Sequence, residues 1–279
     1  MKHLDERLKK SERHKEESMN IPYSISKSGL KAQQTKLDTV AHNIANSDTV
    51  GYKQKTVSFR ELLVNDITAV DVPTSGNVQN MGLNRGVQSS ATGTDFTRGS
   101  LVETGSNLSM SINGDGFFSV EGENGERILT RDGQFTLDEN KAIVNSRGQI
   151  VEVNLTVPPE AWPEGTFQIS STGEILIQDG NEGLTSVGAI PLYNVDNPQA
   201  LIPDGGNGFT IAPDLEGSVF NSIENPAAFG SIQSGFIEGS NVDLAQSFTD
   251  MMMTQRAYSL NAQVTRSTDE MFSLINQFS

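Results

Sequence analysis

The sequence predicts an α+β chain: a helix near each end and a central antiparallel all-β domain joined to them by extended linkers. Three observations carry this. Leu30, Leu37 and Ile44 recur every seven residues in a stretch free of Gly and Pro. Short β-branched and aromatic runs follow one another from about Ser109 to Ile211, separated by turn pairs. After Gly239 there is neither Gly nor Pro to the end, and apolar residues there step by four and three. Periods near 3.6 at both ends and short strands between them define the class.

Residues 1–18 form a charge-dense leader with six Lys/Arg and five Asp/Glu, whose only apolar side chains are Met1, Leu4 and Leu8. Such a composition predicts disorder or a frayed helix. It lacks the apolar core of a secretory signal. Met19 is an alternative start, and Lys15–Ser18 can be encoded by a purine-rich ribosome-binding sequence, so the leader is expected to be a mis-assigned start or dispensable.

The segment 19–61 holds the first helix, from Ser24 to about Asn46. Ala41 and Val40 widen its apolar stripe. Asn46-Ser47-Asp48-Thr49-Val50-Gly51 supplies a helix stop, because Asn and Gly tolerate the left-handed backbone that a stop requires. Residues 62–108 are rich in Gly, Ser, Thr and Asn without apolar period, and are expected to be an extended linker.

The β domain is placed at 109–224. Its expected strands are Gly116–Val120, Arg127–Arg131, Ala142–Val144, Asn154–Val157, Thr166–Ser170, Glu174–Ile177, Ile190–Val195 and Phe209–Ile211. Glu123-Asn124-Gly125, Asp132-Gly133, Arg147-Gly148, Thr172-Gly173 and Asp179-Gly180 mark turns between them. No β-α-β alternation appears, which disfavours a doubly wound nucleotide-binding fold.

Residues 225–279 form a second linker and a long helix, with Ser240-Asn241-Val242-Asp243 expected to cap it. One apolar stripe runs Met253, Ala257, Leu260, Val264, Ser267, Met271, Leu274 and Phe278. A second runs Leu244, Phe248, Met251, Gln255, Tyr258 and Ala262. The first is a near-continuous heptad seam; the second widens the face beyond what one neighbour needs. Two readings follow. The helices form an intramolecular coiled-coil-like pair or pack on the sheet, or they pair and also dock on other subunits.

Composition excludes several functions. Net charge is −15, with 20 Lys/Arg against 35 Asp/Glu, which argues against nucleic acid and anionic membrane as partners. There is no cysteine, hence no disulfide, thiolate nucleophile, iron–sulfur cluster or thiolate-bound zinc. Of three histidines, only His42 lies outside the leader. No apolar run is long enough to span a bilayer. Gly114-Asp115-Gly116 lacks the third glycine and following helix of a phosphate cradle. The Asp-Gly pairs do not have calcium-loop spacing, Asp138-Glu139 is uninformative in so acidic a chain, and Met251-Met252-Met253 is expected to be packing filler. No catalytic, cofactor-binding or metal residue is assigned, and no enzyme activity is expected.

The two ends carry motifs that narrow the reading further. Ala41-His42-Asn43-Ile44-Ala45-Asn46-Ser47-Asp48-Thr49-Val50-Gly51-Tyr52-Lys53 resembles the N-terminal signature of bacterial flagellar rod and hook proteins, of the form N-N-(I/L)-A-N-x-x-T-x-G-(F/Y)-K. Asn43, Ala45, Asn46, Thr49, Gly51, Tyr52 and Lys53 match it. Gly235–Asp243 and Met252–Tyr258 resemble the family's C-terminal signature, matched at Glu238, Ser240, Asn241, Val242, Gln255, Arg256 and Tyr258. Ile112–Phe118 and Thr130-Arg131-Asp132-Gly133 resemble the opening of its β domain.

The resemblance implies a structural subunit of the flagellar basal-body rod; the match is best for the distal rod branch, and the proximal rod branch stays open. It would be exported by the flagellar type III apparatus beyond the cytoplasmic membrane and would stack into a helical homopolymer with other rod and hook proteins as neighbours. That tube would transmit torque from motor to hook. Leu30, Leu37, Ile44, Phe248, Met253, Ala257, Leu260, Val264, Met271 and Leu274 would form the assembly interface. Three departures stand out: His42 replaces the usual Asn, Lys141 replaces the Gly that usually follows Asn140, and the Leu63–Val87 stretch is short. The competing reading is a secreted β-domain enzyme or carbohydrate-binding module with a helical oligomerisation tail; a lone Trp162 and four Tyr disfavour it.

Overall fold

The computed structural model describes residues 2–61, 65–66, 82–83, 86–122, 125–163, 165–179, 183–212, 217–223 and 225–278. Most of the Leu63–Val87 stretch, part of the Glu123-Asn124-Gly125 turn and Gly180 lie outside the described residues, as do the side chains of the leader. The chain divides into two compact units. One holds Met1–Ile44, Lys55–Gly93 and Leu244–Ser279; the other holds Ala45–Gln54 and Thr94–Asp243.

The helical unit contains α1 (Lys2–Ala45) and α2 (Leu244–Phe278). The backbone is helical through the leader as well as the predicted segment. α1 stops where Asn46 and Gly51 said it should: Thr49 N donates to Asn46 O at 3.2 Å, and Gly51 adopts φ 67°. The unit also holds strand Lys55–Glu61, paired with Val87–Thr94. That eight-residue strand lies in the stretch read as linker; its Ser, Thr and Gly content hid it from an apolar-period search. Ser28 accepts from Val87 N at 3.1 Å, and Asn43 exchanges two hydrogen bonds with the Lys55 backbone, at 2.8 and 2.9 Å.

The seam buried along α2 differs from the one its apolar period suggests. Among its described side chains, Ser247, Thr254 and Thr268 are the buried ones, and α1 comes close to Asn261 at Gly29, where an added Cβ would meet the Asn261 side chain. These four positions recur every seven residues, about a quarter-turn around the helix from the large apolar stripe. Leu260 is 61% exposed and Met271 60%, with Met253, Val264 and Leu274 also exposed. Small side chains let a neighbouring backbone come close, so burial went to them and not to the bulky stripe. On α1, Leu30, Leu37 and Ile44 are half-buried, and Ala32 and Val40 are buried.

The second unit is the antiparallel β domain. Its six-stranded sheet runs, in spatial order, Ile202–Gly205, Gly208–Thr210, Arg127–Thr130, Phe117–Glu121, Leu192–Val195 and Val219–Asn221. A four-stranded sheet orders Asn154–Leu155, Leu184–Ala189, Glu174–Asp179 and Gly165–Ile169. All eight expected strands are present, with ends shifted by a residue or two. The run Phe117–Val120 is buried throughout because the six-stranded sheet is covered on both faces. Phe118, Val120 and Ile128 join a core with Ile175, Ile177 and Val187, whereas Phe117 and Leu129 face a second core with Tyr193 and Phe209. Trp162 belongs to the first core and donates its indole N–H to Val157 O at 2.9 Å.

Candidate functional site

Three motif segments far apart in sequence meet in the β-domain unit. Each arrives through local rules. The first descends from the helix stop after Ala45, where the left-handed Gly51 turns the chain into Tyr52 and Lys53. The second is Arg131, carried at the end of strand Arg127–Thr130. The third leaves strand Ser231–Ser234 through Gly235, also left-handed at φ 84°, and runs as Phe236–Glu238 beside Leu101–Glu103.

Glu238 is the centre, with no solvent exposure. Its Oε1 accepts from Lys53 Nζ at 2.7 Å and from Gly99 N at 3.0 Å; its Oε2 accepts from Arg131 Nη1 at 3.3 Å. Its main-chain O accepts from Gly51 N at 2.7 Å. The same side chains reach further. Lys53 Nζ also donates to Thr97 O at 2.8 Å, and Arg131 Nη2 to Gly114 O at 3.0 Å. The Arg131 guanidinium sits over the Phe117 ring, 5.1 Å from its centroid.

Asn241 adds a second set of ties. Its Oδ1 accepts from Gln54 N at 2.7 Å, while its Nδ2 donates to Asp95 O at 2.9 Å and Thr97 O at 3.1 Å. Asn207 donates to Val50 O at 2.7 Å. Gly51 lies so close to the Arg131–Asp132 backbone that no side chain fits there.

The electrostatics follow from burial. Desolvation lowers the Lys53 and Arg131 pKa values, against the upward pull of Glu238 on both. Burial raises that of Asp132 and pushes the Tyr52 phenol up to about 12. Removing one partner of a buried pair typically costs about 3–5 kcal/mol, because the other charge is left without compensation. Both carboxylate oxygens of Glu238 are occupied by these cations and the Gly99 amide, so the arrangement is built to fasten segments together.

Of the motif residues named from sequence, Gly51, Tyr52, Lys53, Glu238 and Asn241 are in the junction. Asn46 and Thr49 build the turn leading to it, Thr49 Oγ1 donating to Asn46 Oδ1 at 3.3 Å. Ala45 is the exposed last residue of α1. Asn43 is buried on α1, bonded to Lys55 in the helical unit. Gln255, Arg256 and Tyr258 belong to α2 and are exposed. Ser240 is not the cap of α2, which starts at Leu244; its Oγ accepts from Val242 N at 3.3 Å. Arg131, Gly99 and Asn207 were not singled out as site residues. The Thr130-Arg131-Asp132-Gly133 motif was the one available signal, since a lone Arg after a strand otherwise reads as solvated. His42 is exposed in the last turn of α1.

Comparisons with known proteins fall on the same segments. Family models match at 25–53 (flagella basal body rod protein), 111–177 (flagellar hook protein FlgE/F/G D1 domain) and 233–278 (flagellar basal body rod FlgEFG protein C-terminal). Lys53, Arg131 and Glu238 lie one in each. The flagellar basal-body rod protein FlgG of Agrobacterium fabrum is 34% identical over 261 residues, covering 91% of this chain and 97% of the relative. FlgG of Bacillus subtilis is 30% identical, covering 89% and 96%. FlgF of Caulobacter vibrioides is 30% identical, covering 87% and 92%.

Proposed function

We infer the function from one premise: the chain belongs to the flagellar basal-body rod protein family. It is a structural subunit of the flagellar basal body, in a family of rod proteins and not of enzymes. No helix among the described residues is long and apolar enough to cross a membrane.

Beyond that, we propose that the chain is a distal-rod subunit that polymerises into a helical tube. Near-full-length similarity to FlgG relatives supports the distal assignment. In this reading the subunit leaves the cell interior through the type III export apparatus, meets other rod and hook proteins at the ends of its polymer, and transmits torque through it. Leu30, Leu37, Ile44, Phe248, Met253, Ala257, Leu260, Val264, Met271 and Leu274 supply the assembly interface. The observation that carries the polymer is the bare stripe of α2: Leu260, Val264, Met271 and Leu274 are all more than half exposed in the single chain. Burying each is worth roughly 1.5–3 kcal/mol.

Electron cryo-tomography of a strain lacking the chain tests the proposal. Basal bodies should stop short, without hook or filament, and the reintroduced gene should restore them. Complete rods in the deletion strain would refute it.

A further inference from the structure

We infer that residues 46–54 and 235–243 form a clasp on the β domain, which closes after that domain has folded and only once Glu238 is in place. The β domain has its own reasons to fold. Its two cores are built by strands from Met110 to Ile232, and neither contains a residue of the clasp. The clasp is held differently, by charge and hydrogen bonds. Lys53 and Arg131 are buried cations, and among the described residues Glu238 is the one carboxylate within ion-pairing distance of either. It lies 185 residues beyond Lys53 and 107 beyond Arg131.

Until that carboxylate arrives, burying Lys53 is unfavourable, because an isolated charge loses its hydration without compensation. The amides of Gly51 and Gln54 likewise have partners in Glu238 O and Asn241 Oδ1, both from the late segment. The N-terminal segment is thus fastened by residues that lie near the other end of the chain. Glu238 acts as a positioning residue, and the subunit holds its own signature segment only when the chain is complete through Asn241. Opening should also be local, since the buried apolar side chains of the clasp, Tyr52 and Ile237, belong to neither core.

Hydrogen exchange on the full-length protein tests this. In Glu238→Gln, amides of residues 50–55 should exchange at least about tenfold faster, while strands 117–121 and 127–130 keep wild-type protection. In Lys53→Met, which leaves the Arg131–Glu238 pair intact, the loosening should appear at residues 236–241. The double variant should loosen 50–55 by less than the product of the two single effects, because the lysine no longer waits for a partner. Unchanged exchange at 50–55, or equal acceleration in the core strands, would overturn the inference. So would strict additivity. Failure of Glu238→Gln to fold at all would also count against it, since the domain would then need the clasp.

Discussion

Gly51 and Asp132 touch through their backbones: a Cβ on Gly51 would stand 2.5 Å from the Asp132 amide nitrogen. Gly51 is also left-handed, at φ 67°. Two independent constraints therefore select glycine. Gly51→Ala should lose roughly 1–3 kcal/mol from backbone strain alone, with the clash adding to it. Urea unfolding of the purified variant, followed by circular dichroism, checks this; a midpoint equal to wild type would exclude the close approach.

Lys141 presents the opposite case. It occupies a left-handed position, φ 60°, in the hairpin between Phe135–Leu137 and Ile143–Asn145, where its N–H donates to Asp138 O at 2.9 Å. A side chain there is strained, and glycine is not. Lys141→Gly should raise stability by about 1 kcal/mol, read as an increase in melting temperature. A lower melting temperature would mean that the lysine side chain repays its strain through contacts.

The two faces of α2 should respond to substitution in opposite ways. Leu260→Asp and Val264→Asp alter exposed positions, so the isolated subunit should change by no more than about 0.5 kcal/mol, while motility is lost because a docking face now carries charge. Thr254 is 2% exposed; Thr254→Leu overfills that seam and should cost the isolated subunit roughly 1–3 kcal/mol. Thermal melts and swimming assays of the same variants separate the effects. Normal swimming with both aspartates would sink the docking face.

Glu152 sets a pH dependence. Burial pushes its pKa up, but hydrogen bonds from Tyr193 (2.7 Å) and Ser119 (2.7 Å) and the Arg127 guanidinium outweigh burial, leaving it below the ordinary glutamate value. A carboxylate lowered on folding stabilises the protein above its unfolded pKa, and that contribution disappears as pH falls through the folded value. Unfolding midpoints should drop on acidification through this range, and Glu152→Gln should flatten that part of the curve. Identical acid limbs in both proteins would contradict it.

The readable parts of this chain were those governed by near neighbours. The stop after Ala45 follows from Gly51, which adopts the left-handed backbone, and from Asn46, whose main-chain and side-chain oxygens both accept from Thr49. The eight strands were visible from β-branched and aromatic runs between turn pairs. Val87–Thr94 was not, because Gln, Ser, Ala and Gly strands carry no apolar alternation and depend on a partner to declare themselves.

Sequence by itself determined the α+β order of the elements and the position of the motifs at Asn43–Lys53, Thr130–Gly133 and Gly235–Asp243, because period, turn chemistry and spacing are properties of short stretches. Tertiary structure alone decided two things. It chose Ser247, Thr254, Asn261 and Thr268 as the seam of α2 over the bulkier stripe, since how closely backbones can approach depends on what faces them. And it made Lys53, Arg131 and Glu238 into one buried cluster. A charged residue in isolation reads as solvated surface; whether it is buried is settled by the charge that arrives opposite it, here from 185 residues away.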